Sequence, residues 1–394
     1  MSTQATYLSR PGMICALGAN ADEISEQLFS DTPKPLGIEN HQDLQADESP
    51  VGRVNALLPD LENLPLAHRT RNNQLLLSAM EQLERELHTA VETFGKDRIG
   101  VIVGTSTSGI AEAEAAISHR LEHEEWPDTF DYQQQEIGAP AQFIAEYFQL
   151  GGPSYTLSTA CSSGAKALAS ARRLLNAGLC DAVVCGGADS LCQLTKQGFA
   201  SLGAVSSEIC QPFSQNRKGI NIGEAACLFL MSREPTLVAL AGAGESSDAH
   251  HISAPQPEGL GASAAMEKAL TDAQKSPADI DYLNLHGTGT EQNDKMESLA
   301  AARVLGEHCP CSSTKALTGH TLGAAGALEA GFCYLSLEQN LLPAQWGDQQ
   351  WDPALPTLNW LSSVKRDSRI TTVMSNSFAF GGNNISLILT KLKY

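Results

Sequence analysis

No stretch of this chain approaches the roughly 18 uninterrupted apolar residues that a membrane-crossing helix needs. The N-terminus lacks a basic region followed by an apolar run, so the reading is a protein of the cytoplasm, neither exported nor membrane-inserted. Paired metal-ligand spacing is also missing: Cys309-Pro310-Cys311 is the only tight cysteine pair, and no second Cys or His pair accompanies it at zinc spacing. No metal is expected. The ten cysteines lie scattered through 394 residues without the spacing of a secreted module, which points to reduced thiols. Basic charge is scarce, with 26 Lys and Arg against 45 Asp and Glu. A formal net charge of −19 excludes a generic nucleic-acid binder and simple attraction to anionic membranes. An acidic partner would need a local basic patch, for which Arg69 with Arg71, Arg172 with Arg173, and Lys365, Arg366 and Arg369 are the candidates.

What is present is an alternation of elements. Gly12–Gly18 reads as strand and turn before a helix over 21–29, and the Pro- and acid-rich stretch from Asp31 to Pro65 reads as a surface excursion. A helical pattern spans 71–87, a buried-type strand 98–103, a helix 111–125 and a loop 126–140. Further strands are expected over 181–187, 225–232, 236–241, 281–285, 372–374 and 385–389, with helices over 261–272 and 294–305. Element order divides the chain into two similar α/β halves, residues 1–233 and 234–394, with no Gly/Ser or Pro-rich linker between them.

Four short runs carry the chemistry. In Ser158-Thr159-Ala160-Cys161-Ser162-Ser163-Gly164 a cysteine stands where an extended stretch turns into a helix, and amides and dipole at a helix N-terminus favour thiolate. An inert packed cysteine fits that run equally well. Asn284-Leu285-His286-Gly287-Thr288-Gly289-Thr290 places a histidine at a strand's end. Ser312-Ser313-Thr314-Lys315-Ala316-Leu317-Thr318-Gly319-His320 runs into a small-residue helix, and Asn376-Ser377-Phe378-Ala379-Phe380-Gly381-Gly382-Asn383-Asn384 is a third glycine-rich stretch. Singly, each reads as an ordinary turn. Together they supply a nucleophile, two imidazoles, an ammonium and backbone donors, which is what acyl transfer through a thioester requires.

In this order along the chain, the four runs resemble those of the elongating β-ketoacyl-acyl-carrier-protein synthases. The resemblance implies a thiolase-like α/β fold, two mixed halves stacked as five αβαβα layers, normally in a homodimer. It implies that Cys161 takes an acyl chain from the phosphopantetheine thiol of an acyl carrier protein, with no cofactor bound permanently. Backbone amides of Cys161 and Phe380 would form the oxyanion hole. His286 and His320 would bind the malonyl thioester and stabilise its enolate, with Lys315, paired with Glu329, tuning the imidazoles. Thr288 and Thr290 would bond the pantetheine arm, and Phe380, beside Phe378 in the substrate path, would gate it. Thr107 falls where the resemblance places the acyl pocket, and a small residue there points to room for a long or unsaturated chain.

Departures from the pattern are local. Ala379 replaces a usual glycine, and in Arg217-Lys218-Gly219 to Gly223-Glu224-Ala225 an alanine follows the glutamate; that segment is expected to be structural. A non-catalytic, chain-length-factor-like partner subunit usually lacks the nucleophile, which this chain keeps. An initiating synthase would show Cys-His-Asn, and a degradative thiolase a second cysteine where Phe380 stands. A cysteine hydrolase leaves the two histidines and Lys315 unexplained. Fatty-acid, polyketide and aryl-polyene synthesis all remain open, as does pairing with a related ketosynthase-like subunit.

Overall fold

The computed structural model describes residues 5–33, 49–366 and 369–392, so 34–48 of the expected excursion lie outside the described residues. Two runs of strands form one mixed sheet. In the first half, Ile99–Gly104 lies between Ser154–Leu157 and Ala182–Asp189, parallel to both, and Ala225–Ser232 adds on antiparallel. The second half repeats this order: Tyr282–Asn284 lies parallel between Pro310–Ser312 and Thr372–Ala379, and Asn383–Lys391 follows antiparallel, then Val238–Ser247. Tyr7–Leu8 joins the halves by pairing with both Ala225–Ser232 and Val238–Ser247, closing a 12-stranded sheet.

Strands such as Ile99–Gly104 and Ala182–Asp189 are buried at every position, because helices cover both faces. Helices Ser163–Asn176 and Ala325–Gln339 pack on each other and on strands of both halves, forming the middle layer. Ala325–Gln339 is buried continuously from Ala325 to Leu337, as an apolar-all-round helix must be. Arg71–Glu81 and Ala139–Phe148 cover the first half from outside, and Leu260–Ala273, with Glu291–Leu305 packed beside it, covers the second.

The observed elements depart from the expected ones at three places. The helix expected over 71–87 breaks into Arg71–Glu81 and Glu84–Phe94, and at the break the Gln82 side chain bonds Met13 N, Met13 O and Ala19 O. The run from Asn376 is strand as far as Ala379, and only Phe380–Gly382 forms the turn. Helix Gln193–Ser201, absent from the sequence reading, brings Phe199 to the site.

The middle helices touch because glycines face them. A Cβ on Gly164 would lie 2.9 Å from Ala327 N, and one on Gly326 would lie 2.7 Å from Ala165 Cβ. Any larger residue at this crossing would separate the helices, and with them the segments just before them that carry Cys161 and His320.

Candidate active site

Cys161 follows a strained turn. Ala160 has φ +52°, a left-handed conformation that costs a non-glycine residue about 1–2 kcal/mol. Side-chain bonds fix the turn: Thr159 N donates to Ser163 Oγ at 2.9 Å, and Ser163 Oγ donates to Ala160 O at 2.6 Å. The helix begins at Ser163, so the sulfur sits ahead of the first turn rather than within it. Burial pushes its thiol up to about 12, against the opposing pull of the Lys315 charge and of backbone hydrogen bonds from Phe380 and Cys161 itself. The thiolate expected from a helix N-terminus therefore gives way to a resting thiol, because desolvation of the buried charge outweighs the Lys315 charge and the backbone hydrogen bonds.

Opposite the sulfur, His320 Nε2 lies 2.9 Å away. The His320 backbone is zipped to the neighbouring segment, with its N–H donating to Asn221 O at 2.6 Å and its O accepting from Gly223 N at 2.9 Å. That segment ends in Glu224, wholly buried, whose carboxylate bonds Arg71 at 2.6 Å and Val54 N at 3.0 Å. Glu224 is thereby committed to contacts inside the fold.

His286 sits edge-on to His320, ring centres 5.3 Å apart. Glu297, on the inner face of helix Glu291–Leu305, accepts His286 N at 2.8 Å and Gly287 N at 2.7 Å, one on each oxygen. Lys315 Nζ donates to His286 O and to Glu329, and lies 3.4 Å from His286 Nδ1. An ammonium only donates, so Nδ1 is the acceptor and the ring proton is on Nε2, the remaining ring nitrogen. Burial, then the Lys315 charge, holds both imidazoles well below the usual histidine range, leaving them neutral. Burial raises Glu329 to about 7 and Glu297 to about 7.

These groups face a cavity of about 500 Å³ lined by Cys161, His286, His320, Thr288, Thr290, Phe378 and Phe380 among others. The hydroxyls of Thr288 and Thr290 are 2.9 Å apart. Phe380 packs on Phe199 with ring centres 5.4 Å apart. Its turn is tied to a neighbouring loop: Gly381 N donates to Ile252 O at 2.8 Å and Asp248 N to Gly382 O at 2.9 Å. Ala379 has φ −114° and ψ 155°, ordinary extended backbone, so alanine there introduces no strain.

Thr107 is placed differently from the rest. It is fully buried, and its hydroxyl donates to Asp189 at 2.7 Å and accepts from Ser190 N at 3.1 Å, which commits it to a packed network. It is absent from the residues lining the described cavity. Asp189 also accepts from Thr105 Oγ1 at 2.6 Å and Ser106 N at 2.7 Å. Sequence reasoning missed Asp189 and Glu297. The available signal was an acid on a face that otherwise reads as mostly apolar: Glu297 is buried with Met296, Ala300, Ala301 and Val304, and with a second acid, Asp294, three residues earlier. The Arg69–Arg71 pair does not stand as a free basic patch, because Arg71 is committed to Glu224. Arg172 and Arg173 are likewise paired, with Asp272 and Glu245.

One mixed sheet running through both halves, around two touching helices that carry a thiol to an imidazole, defines a thiolase-like α/β fold. The profile described as "Beta-ketoacyl synthase, N-terminal domain" matches residues 66–236, and "Beta-ketoacyl synthase, C-terminal domain" matches 237–347. The chain belongs to the β-ketoacyl synthase family, and so to the acyltransferases. Nodulation protein E of Rhizobium meliloti is 31% identical over 390 residues, covering 95% of this chain and 96% of that protein. The 3-oxoacyl-[acyl-carrier-protein] synthase 2 of Rhizobium meliloti (strain 1021) is 34% identical over 313 residues, 74% of each chain. Among solved structures, a chain of the ketosynthase (ApeO) in complex with its chain length factor (ApeC) from Xenorhabdus doucetiae is 46% identical, with a TM-score of 0.91, over 99% of this chain and 98% of that one.

Proposed function

We propose that this protein joins an acyl chain held on Cys161 to a malonyl unit carried by an acyl carrier protein, a decarboxylative Claisen condensation in fatty-acid or polyketide-type synthesis. The observation that carries the reading is the 2.9 Å approach of neutral His320 to the Cys161 sulfur beside a second neutral imidazole, His286.

In the first half-reaction the Cys161 sulfur attacks the acyl thioester carried on the phosphopantetheine arm. Its proton passes to His320 Nε2 as the C–S bond forms, then to the departing pantetheine sulfur. The oxyanion faces the backbone amides of Cys161 and Phe380, and losing one such donor costs about 10²–10³ in rate. In the second, the malonyl carboxylate leaves as carbon dioxide, and its electron pair becomes an enolate whose oxygen accepts from the Nε2–H of His286 and from His320, which moves its one ring proton from Nδ1 to Nε2 once the acylated sulfur has no proton to share. Lys315 keeps the His286 proton on the nitrogen that serves this purpose. The enolate carbon attacks the acyl carbonyl, the Cys161 sulfur departs, and one proton restores the thiol. Thr288 and Thr290 hold the arm, and Phe380 and Phe378 flank its path. The partners are the carrier protein and a second subunit: another copy of this chain, or a related ketosynthase-like chain as in the Xenorhabdus doucetiae complex.

The test is incubation with an acyl-carrier protein and malonyl-carrier protein, with intact-mass spectrometry of protein and products. Native protein should gain one acyl group and release β-ketoacyl-carrier protein. Cys161→Ala should show no acyl adduct while still decarboxylating malonyl-carrier protein. Acylation persisting on that variant would remove the assignment, and neither adduct nor product from native protein would assign it the role of a chain-length-factor-like partner subunit.

A further inference from the structure

The cavity grades from a buried floor to an open rim. Cys161 and Thr288 are buried, Thr290 is half-buried, and Lys218 on the same wall is exposed. Among the described lining residues, Arg217 and Lys218 carry the fixed positive charges. They differ in freedom. Arg217 is locked, 8% exposed, by Asp352 at 2.6 Å and Ser214 O at 2.8 Å. Among the described residues Lys218 reaches only Glu208, at 3.0 Å, with the two side chains 56% and 68% exposed.

The backbone under Lys218 is held firmly while its tip is loosely committed. On one side stands the locked Arg217. On the other, Gly219 N donates to Gly289 O at 2.9 Å, which sets Lys218 beside the Thr288-Gly289-Thr290 turn. An exposed ion pair of this kind contributes about 0–1 kcal/mol, so a better anion displaces Glu208 easily. Glu291 is the negative side chain on this wall, and with Arg217 tied to Asp352, Lys218 is the cation whose tip is free to turn to an incoming anion.

We propose that Lys218 is the phosphate contact of this site: on substrate entry its ammonium leaves Glu208 for the phosphodiester at the outer end of the pantetheine arm. The inference rests on the condensing function above, and deepens it by naming the group that reads the arm's charge. The arm's thiol end lies at Cys161, its middle passes Thr288 and Thr290, and its phosphate emerges where Lys218 stands. An ammonium–phosphate bond is charge-assisted and stronger than the exposed pair it replaces. Glu208 keeps the lysine extended when no substrate is present.

The test compares three donors of the malonyl group: malonyl-pantetheine, which lacks the phosphate, malonyl-phosphopantetheine, and malonyl-carrier protein. The readout is the ratio of kcat/KM with phosphate to that without. Lys218→Gln, which keeps most of the stem, should lower this ratio about five- to tenfold for both phosphorylated donors, as expected on losing one charge-assisted bond. Glu208→Gln, which frees the lysine, should raise it about twofold. A ratio unchanged in Lys218→Gln, with native enzyme active on all three donors, overturns this proposal and leaves the condensing function standing. A loss confined to malonyl-carrier protein also overturns it, placing the lysine against the carrier's surface instead. Native enzyme inactive on all three removes the condensing function itself.

Discussion

At the scale of single residues, burial governs the site. Cys161 is 6% exposed, and that desolvation keeps it a thiol despite a nearby ammonium. Its reaction with iodoacetamide, followed by peptide mapping, should therefore accelerate about tenfold per pH unit from 6 to 9, since the thiolate fraction grows that way below the pKa. A plateau beginning below pH 7 would instead reveal a resting thiolate–imidazolium pair with His320. Lys315 and Glu329 form a buried pair whose purpose is positional. It carries a positive charge to His286 Nδ1, and a buried pair of this kind adds little net stability, although breaking one partner is costly.

At the scale of elements, the site exists because two helices touch. Cys161 precedes helix Ser163–Asn176 and His320 precedes helix Ala325–Gln339, and their contact runs through Gly164 and Gly326. Gly326→Val would force its side chain into Ala165 and Ser377. Such overpacking costs about 1–3 kcal/mol. The variant should unfold at lower denaturant and acylate at least tenfold more slowly, checked by urea melts and by intact mass over time. Normal acylation in a folded variant would mean that the crossing does not set the Cys161–His320 distance. Glu297 acts similarly from helix Glu291–Leu305, pinning His286 and Gly287 through one carboxylate.

At the scale of the whole molecule, Ser154–Leu157 is the last strand of the sheet, with Ser154 exposed and its neighbours half-buried. Pro153 O and Leu157 O accept from the adjacent strand, so the alternating Thr156 N–H faces away from it. A second copy pairing on this edge would use that donor. Thr156→Pro should weaken a dimer at least tenfold in sedimentation equilibrium while sparing the fold, because proline is tolerated on an edge strand. Unchanged association would place the subunit contact elsewhere. Among the described residues no helix is long and apolar enough to cross a membrane. The negative charge is general, yet several of the arginines nominated for docking are consumed by internal ion pairs with Glu224, Asp272 and Glu245.

The sequence by itself determined the order of the four motifs, the alternation of strands and helices, and the choice of Cys161, His286, His320 and Lys315. Each is a local property of neighbouring side chains. The tertiary structure alone decided the protonation of Cys161, the support of His286 by Glu297, the withdrawal of Thr107 toward Asp189 and the locking of Arg71. All of these depend on desolvation and on partners distant along the chain or from another element. No reading of adjacent residues contains that information, because a charge's energy is set by what surrounds it in space.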